Sequence, residues 1–123
     1  MEKIIKVNEK EVRLKSTAGT FTRYRNYFKR DLMKDFIRLQ ESLKSKKENG
    51  TNFDVLDLEM FERIAWCMAK TADNNIPDIE HWLDEFETFD IMYILPQIMT
   101  LLTDNMAQIS NVKKNIPKAK KSK

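Results

Sequence analysis

The chain of 123 residues is 41% hydrophobic and 33% charged, which is one domain with a modest core and a highly charged surface, and neither a collagen-like nor a low-complexity chain. Its net charge of +3 hides a segregation: residues 1–50 carry 14 cations against 7 acids, residues 51–107 carry 2 against 12, and residues 108–123 carry 6 against none. The longest apolar block, IMYILPQIMTLL, is too short to span a bilayer, the lone Cys67 excludes an intramolecular disulfide, and no charged-then-apolar start resembles a signal peptide, so a reducing cytoplasm is expected.

In chain order, KIIKVNEKEVRLK alternates apolar and polar residues and predicts an antiparallel β-hairpin over 3–15 with one buried face. A four-residue loop pairs Val7 with Val12 and Ile5 with Leu14, whereas a two-residue loop on Asn8 and Glu9 pairs Ile5 with Val12; the first keeps apolar pairs together and is preferred. A lone hairpin is marginal in water, so this one must lean on helices or extend a sheet.

A long helix is expected over 21–46, because Phe21, Tyr24, Phe28, Leu32, Phe36, Leu39 and Leu43 recur every three or four residues, with Thr20 or Thr22 as its cap. The stretch FTRYRNYFKRDL interleaves four aromatics with four cations, as a nucleic-acid surface does. The stripe puts Tyr24 and Phe28 in the core instead, leaving a basic outer face.

A second helix is expected over 54–73, with Phe53, Leu56, Met60, Phe61, Ile64, Ala65, Met68 and Ala72 inward and acids in its first turns. Asn75 and Pro77 open a third helix over 77–87, and Asp90 starts a fourth over 90–106, kinked or broken near Pro96. Apolar residues from Ile91 to Met106 run nearly all the way round that helix, more than one small core consumes, so part of this surface is expected to meet a partner. The lysine-rich end, 108–123, is expected to be disordered. The architecture is mainly α (α+β): a single domain over 1–107 with the hairpin on about four helices.

Catalytic and cofactor signatures do not emerge. Cys67 reads as a small buried hydrophobe, His81 sits among surface carboxylates without zinc or di-iron spacing, and no Gly-rich phosphate loop or nucleophile elbow occurs. No enzyme, no metal and no cofactor is expected.

The hairpin followed by VRLKSTAGTFTRYRNYFKRDLMKDF, LDLEMFERIAWCMAKTAD and IPDIEHWLDEFETFDIMYILPQIMTLL resembles the tail assembly chaperones of long, non-contractile-tailed phages and prophages of low-GC Gram-positive bacteria. The similarity runs from about Val7 to Met106. It implies a non-enzymatic oligomer in the host bacterial cytoplasm, absent from the mature virion, that holds the helical, aggregation-prone tape measure protein while the tail tube polymerises. It also implies further partners: the tail tube protein and a longer form of the chain made by ribosomal frameshifting, for which the codons of Lys113-Lys114 or Lys120-Lys121 are candidates.

Candidate contacts with the tape measure protein are Trp82, Phe86, Phe89, Tyr93, Met99 and Leu102. For self-association into a ring or spiral, Arg23, Arg25, Lys29 and Arg30 would face Asp84, Glu85 and Glu87 of a neighbouring copy. The alternative is a small nucleic-acid-binding regulator using helix 21–46 and the lysine tail. Against it stand the acidic residues 51–107, which repel phosphates, and the lack of a recognised DNA-binding module.

Overall fold

Asn8 and Glu9 both have positive φ, 53° and 70°, which closes a two-residue turn between β1 (Glu2–Val7) and β2 (Lys10–Lys15). The register is Val7 opposite Lys10 and Ile5 opposite Val12, so the expected four-residue loop is incorrect. Such a turn matches the right-handed twist of the strands, and this geometry outweighs direct pairing of apolar residues. The two registers differ by two residues, not one, so both bury the same face. Ile5, Val7, Val12 and Leu14 accordingly all lie in the core.

The computed structural model describes residues 2–49 and 53–105, with helices α1 (Ala18–Phe28), α2 (Leu32–Asn49), α3 (Val55–Ala72) and α4 (Ile79–Leu83), and a further helix, α5, over residues 91–105. The expected disordered segment 108–123 lies outside the described residues. The fold is α+β, mostly helical, with a two-stranded antiparallel hairpin packed on the helices.

The single helix expected over 21–46 is instead two. Lys29 adopts a left-handed conformation (φ 56°, ψ 37°) and ends α1, its N–H donating to the Arg25 carbonyl. Asp31 then caps α2, its carboxylate accepting from the N–H groups of Met33 and Lys34. The start of α1 also differs from expectation: Thr17 is the cap, in a reciprocal box with Thr20. The apolar stripe survives the corner, because Tyr24, Leu32, Phe36 and Leu39 are buried and Phe21, Phe28 and Leu43 pack against the core.

The centre of the fold is α3, which touches β2, α1, α2 and α4. Asp54 and Asp57 form its capping box, and Ser42 of α2 donates to Asp57 at 2.9 Å. From Ile64 to Ala69 every residue is buried. Trp66, Cys67 and Ala69 thus join the inward face expected from one-sided periodicity, since neighbours cover this helix on several sides.

The third helix is shorter than the expected 77–87, and its cap is Asp78 instead of Asn75. Residues 84–90 then form a turn, and Asp90 starts α5, its carboxylate accepting from the Met92 N–H at 3.0 Å. The helix runs unbroken through Pro96. Proline removes the bond from position 96 to the Met92 carbonyl, and both residues are exposed, so that carbonyl is open to solvent.

Candidate interaction surface

The aromatic residues proposed to face a partner turn largely inward. Trp82 and Phe86 are buried, and with Phe89 and Phe61 they form a cluster whose ring centroids lie 5.2–5.3 Å apart in the Trp82–Phe86, Trp82–Phe89, Phe86–Phe89 and Phe61–Phe89 pairs. Aromatic pairs in such tilted and edge-on geometries add about 0.5–1.5 kcal/mol each beyond area burial. Leu102 is fully buried, while Phe89 and Met99 are partly covered by the core. Trp82, Phe86 and Leu102 are therefore core residues, not surface contacts.

Tyr93 remains exposed, and beside it is Met92, which the candidate set omitted; they are 45% and 58% accessible. Asp84, Glu87 and Asp90, all exposed, precede this pair in the chain. The result is a flexible thioether and an amphipathic phenol at the head of a helix, preceded by acids. Met92 was visible in the sequence as one of many apolar residues of α5. Its exposure follows only once residues 84–90 are known to be a turn.

The cations expected to drive self-association divide into two groups. Arg25 and Lys29 are exposed and, with Phe21, Asn26 and Arg30, line an open recess of about 670 Å³ at the α1–α2 corner. Arg23 and Arg30 are engaged within the chain. Arg23 donates to the Thr71 hydroxyl at 2.8 Å, which also meets the Thr20 hydroxyl and donates to the Cys67 carbonyl, tying α1 to the end of α3.

Arg30 makes a two-pronged ion pair with Asp35, at 2.7 and 2.9 Å, and the Tyr24 hydroxyl donates to the same carboxylate at 2.5 Å. Burial pushes the Asp35 carboxyl up, but the hydrogen bonds from Arg30 and Tyr24 and the charges of Arg30 and Arg63 outweigh it and hold it below the ordinary carboxylate value. Burial, with the neighbouring Asp35 charge, raises the Tyr24 phenol above its usual value. This group locks the corner between α1 and α2.

Of the acids, Asp84 and Glu87 face solvent, while Glu85 pairs with Lys10 at the start of β2. Asn8 reinforces that attachment: its side chain donates to the Thr88 hydroxyl at 3.0 Å and accepts from the Thr88 N–H at 3.1 Å. The hairpin turn is thereby pinned to the turn between α4 and α5.

Cys67 is fully buried and its thiol is pushed up to about 12 by burial. His81 is exposed, and its hydrogen bond to Asp78 at 2.6 Å raises it above the ordinary imidazole value. Among the described residues no three or more His, Cys, Asp or Glu side chains are grouped to hold a metal ion, and no helix is long and apolar enough to cross a membrane. Comparison with family models, with curated proteins and with solved structures finds no match.

Proposed function

We propose that this chain is a tail assembly chaperone of a long, non-contractile-tailed (siphovirus-type) phage or prophage of a Gram-positive bacterium. It acts in the host cytoplasm without catalysis, binding the tape measure protein and keeping it soluble while the tail tube assembles. The family resemblance along the chain supports the reading. The structural observation that carries it is the exposed Met92–Tyr93 pair at the head of α5, an adaptable apolar contact preceded by the acids Asp84, Glu87 and Asp90. An amphipathic helix of the tape measure protein is a suitable occupant, and the acids keep the complex soluble.

Self-association belongs to the same proposal. Arg25 and Lys29 at the corner recess complement Asp84 and Glu87 of the next copy, a heterologous contact that builds a ring or spiral. These are exposed charges, so salt weakens the contact.

The test is co-expression of the chain with the tape measure protein, followed by pull-down and sizing of the soluble fraction. A stoichiometric complex is expected, and a Met92→Asp/Tyr93→Asp double variant is expected to lose it while retaining its fold. If the tape measure protein precipitates regardless and the chain elutes alone, the reading fails. A mobility shift with DNA or RNA that weakens steeply with salt would point instead to the nucleic-acid regulator.

A further inference from the structure

Among the described residues the hairpin is a two-stranded sheet, and no strand pairs with the outer edge of β1. The two-residue loop closes on a hydrogen-bonded pair, so Val7, Ile5 and Lys3 turn their backbone groups toward β2. Glu2, Ile4 and Lys6 turn theirs outward, and among the described residues no backbone bond from another element reaches them. Their side chains share the face of the hairpin opposite the core. Ile4, at the centre of the strand, is 58% accessible, with an acid two residues before it and a cation two residues after.

That order is self-complementary about a two-fold axis. When β1 runs antiparallel to β1 of a second copy with Ile4 opposite Ile4, Glu2 falls opposite Lys6 at both ends. All three pairs are then of the hydrogen-bonded kind, because they join residues whose backbone groups already point outward. Within the hairpin Lys6 stands opposite Glu11 and Glu2 opposite Lys15, with the Glu2 carboxylate also accepting from Arg13 at 2.8 Å, so the row across four strands reads Glu11, Lys6, Glu2, Lys15 and a Lys6 of the second copy would share Glu2 with Arg13. Charges alternate along the whole row, and a second such row is generated by symmetry. Between them the two Ile4 side chains cover each other. A shift by two residues sets Ile4 against Lys6 and loses both charge matches.

We propose that β1 is a dimerisation edge: two copies of this chain join through it into a four-stranded antiparallel sheet centred on Ile4, with Glu2 of each opposite Lys6 of the other. An exposed isoleucine on an open strand edge is otherwise an aggregation liability, and closed two-fold pairing removes it. The contact stands whichever partner the α5 surface binds, and it involves none of the residues of the corner recess.

The full-length chain is sized by light scattering and sedimentation, with a mass twice 14.6 kDa expected for the dimer. Ile4→Pro removes a donor that points outward without touching the β1–β2 ladder, and it weakens dimerisation by at least about tenfold. Single cysteines fix the register, Cys67 being buried and silent. Ile4→Cys cross-links to itself with a short bifunctional thiol reagent, because a hydrogen-bonded pair sets the two Cβ atoms about 5.5 Å apart, wider than a disulfide spans. Glu2→Cys cross-links with Lys6→Cys when the two are mixed, and neither does so alone.

A monomeric wild-type chain at 100 μM (a concentration of about that order suffices for micromolar association) overturns the proposal, as does a dimer that forms no Ile4→Cys cross-link. If Ile4→Pro does not fold, the cysteine pattern decides by itself. Cross-linking of Glu2→Cys to itself would assign a different register and refute the pairing described.

Discussion

Replacing Asp35 by alanine tests whether the corner between α1 and α2 is held by its buried carboxylate. Asp35 is 4% accessible and Tyr24 is fully buried, so the substitution leaves a phenolic hydroxyl without its acceptor, at about 1–3 kcal/mol. Arg30 also loses both bonds, but its side chain is 36% accessible and returns partly to water. That reduces the penalty well below the roughly 3–5 kcal/mol of breaking a fully buried pair, to about 1–2 kcal/mol. The combined loss is about 3 kcal/mol, a large fraction of the stability of a domain this size.

Urea unfolding at pH 7, followed by the fluorescence of Trp66 and Trp82, measures it. With a slope of about 1–2 kcal/mol per molar, the midpoint falls by about 2 M. Tyr24→Phe removes only the donor and leaves the ion pair, and its expected loss is about 1–2 kcal/mol. The pH dependence follows from the depressed Asp35 carboxyl. Its contribution is fully present above the unfolded carboxylate value near 4 and fades as pH falls through the lower folded value. The wild type and Asp35→Ala therefore differ by a constant amount from about pH 5 to 8, and the difference shrinks as pH falls below the unfolded carboxylate value near 4 and through the lower folded value. A loss under about 0.5 kcal/mol at neutral pH would refute the lock, since that is the scale of surface substitutions.

Lys29 closes α1 in the left-handed region, so Lys29→Gly raises the melting midpoint by the equivalent of about 0.5–1 kcal/mol and Lys29→Val lowers it, measured by thermal unfolding. Asn8→Ala loses both bonds to Thr88 and a residue tolerant of positive φ, which costs about 1–2 kcal/mol. Hydrogen exchange then shows the hairpin amides losing protection ahead of α3. His81 titrates above the ordinary imidazole value by NMR, and Asp78→Asn brings it down while keeping the helix cap. Cys67 reacts with a thiol reagent only at the rate of unfolding, because it is buried and its thiol is raised by that burial; fast labelling of the native protein would contradict this.

The apolar stripe from Phe21 to Leu43 was readable as helix because its spacing never falters. That same regularity concealed the corner. Neither glycine nor proline marks Lys29, and the signal that does exist is subtler: two cations, Lys29 and Arg30, near the end of one helix, followed by Asp31 as the cap of the next. Periodicity reports which residues face the core, and two helices meeting at a corner can keep that face continuous. The hairpin register failed for a related reason. Alternation specifies the buried face but not the pairing among registers two apart, and the turn conformation at Asn8 and Glu9 made the choice.

Exposure in the acidic half was the hardest property to read, and it decides which residues a partner can touch. A dense apolar run looks like surplus surface when each helix is assigned one buried face. Here α3 is covered on several sides from Ile64 to Ala69, and the turn after α4 carries Phe86 and Phe89 against Trp82 and Phe61. The core thus takes up most of the aromatics that composition left to spare. At the head of α5 the exposed residue beside Tyr93 is Met92, and a two-residue apolar contact is a small fraction of a standard interface. Tyr27, Ile37, Val55 and Leu58 are also exposed elsewhere on the described surface, so this pair is one of several small apolar sites on a single copy. Copies joined through their β1 edges would present that contact twice along one assembly, where linked sites gain effective concentration without any new kind of contact. If the proposed tape measure binding and the proposed β1 pairing both hold, the Ile4→Pro variant weakens that binding. An unchanged affinity in the resulting monomer would show that one α5 surface suffices.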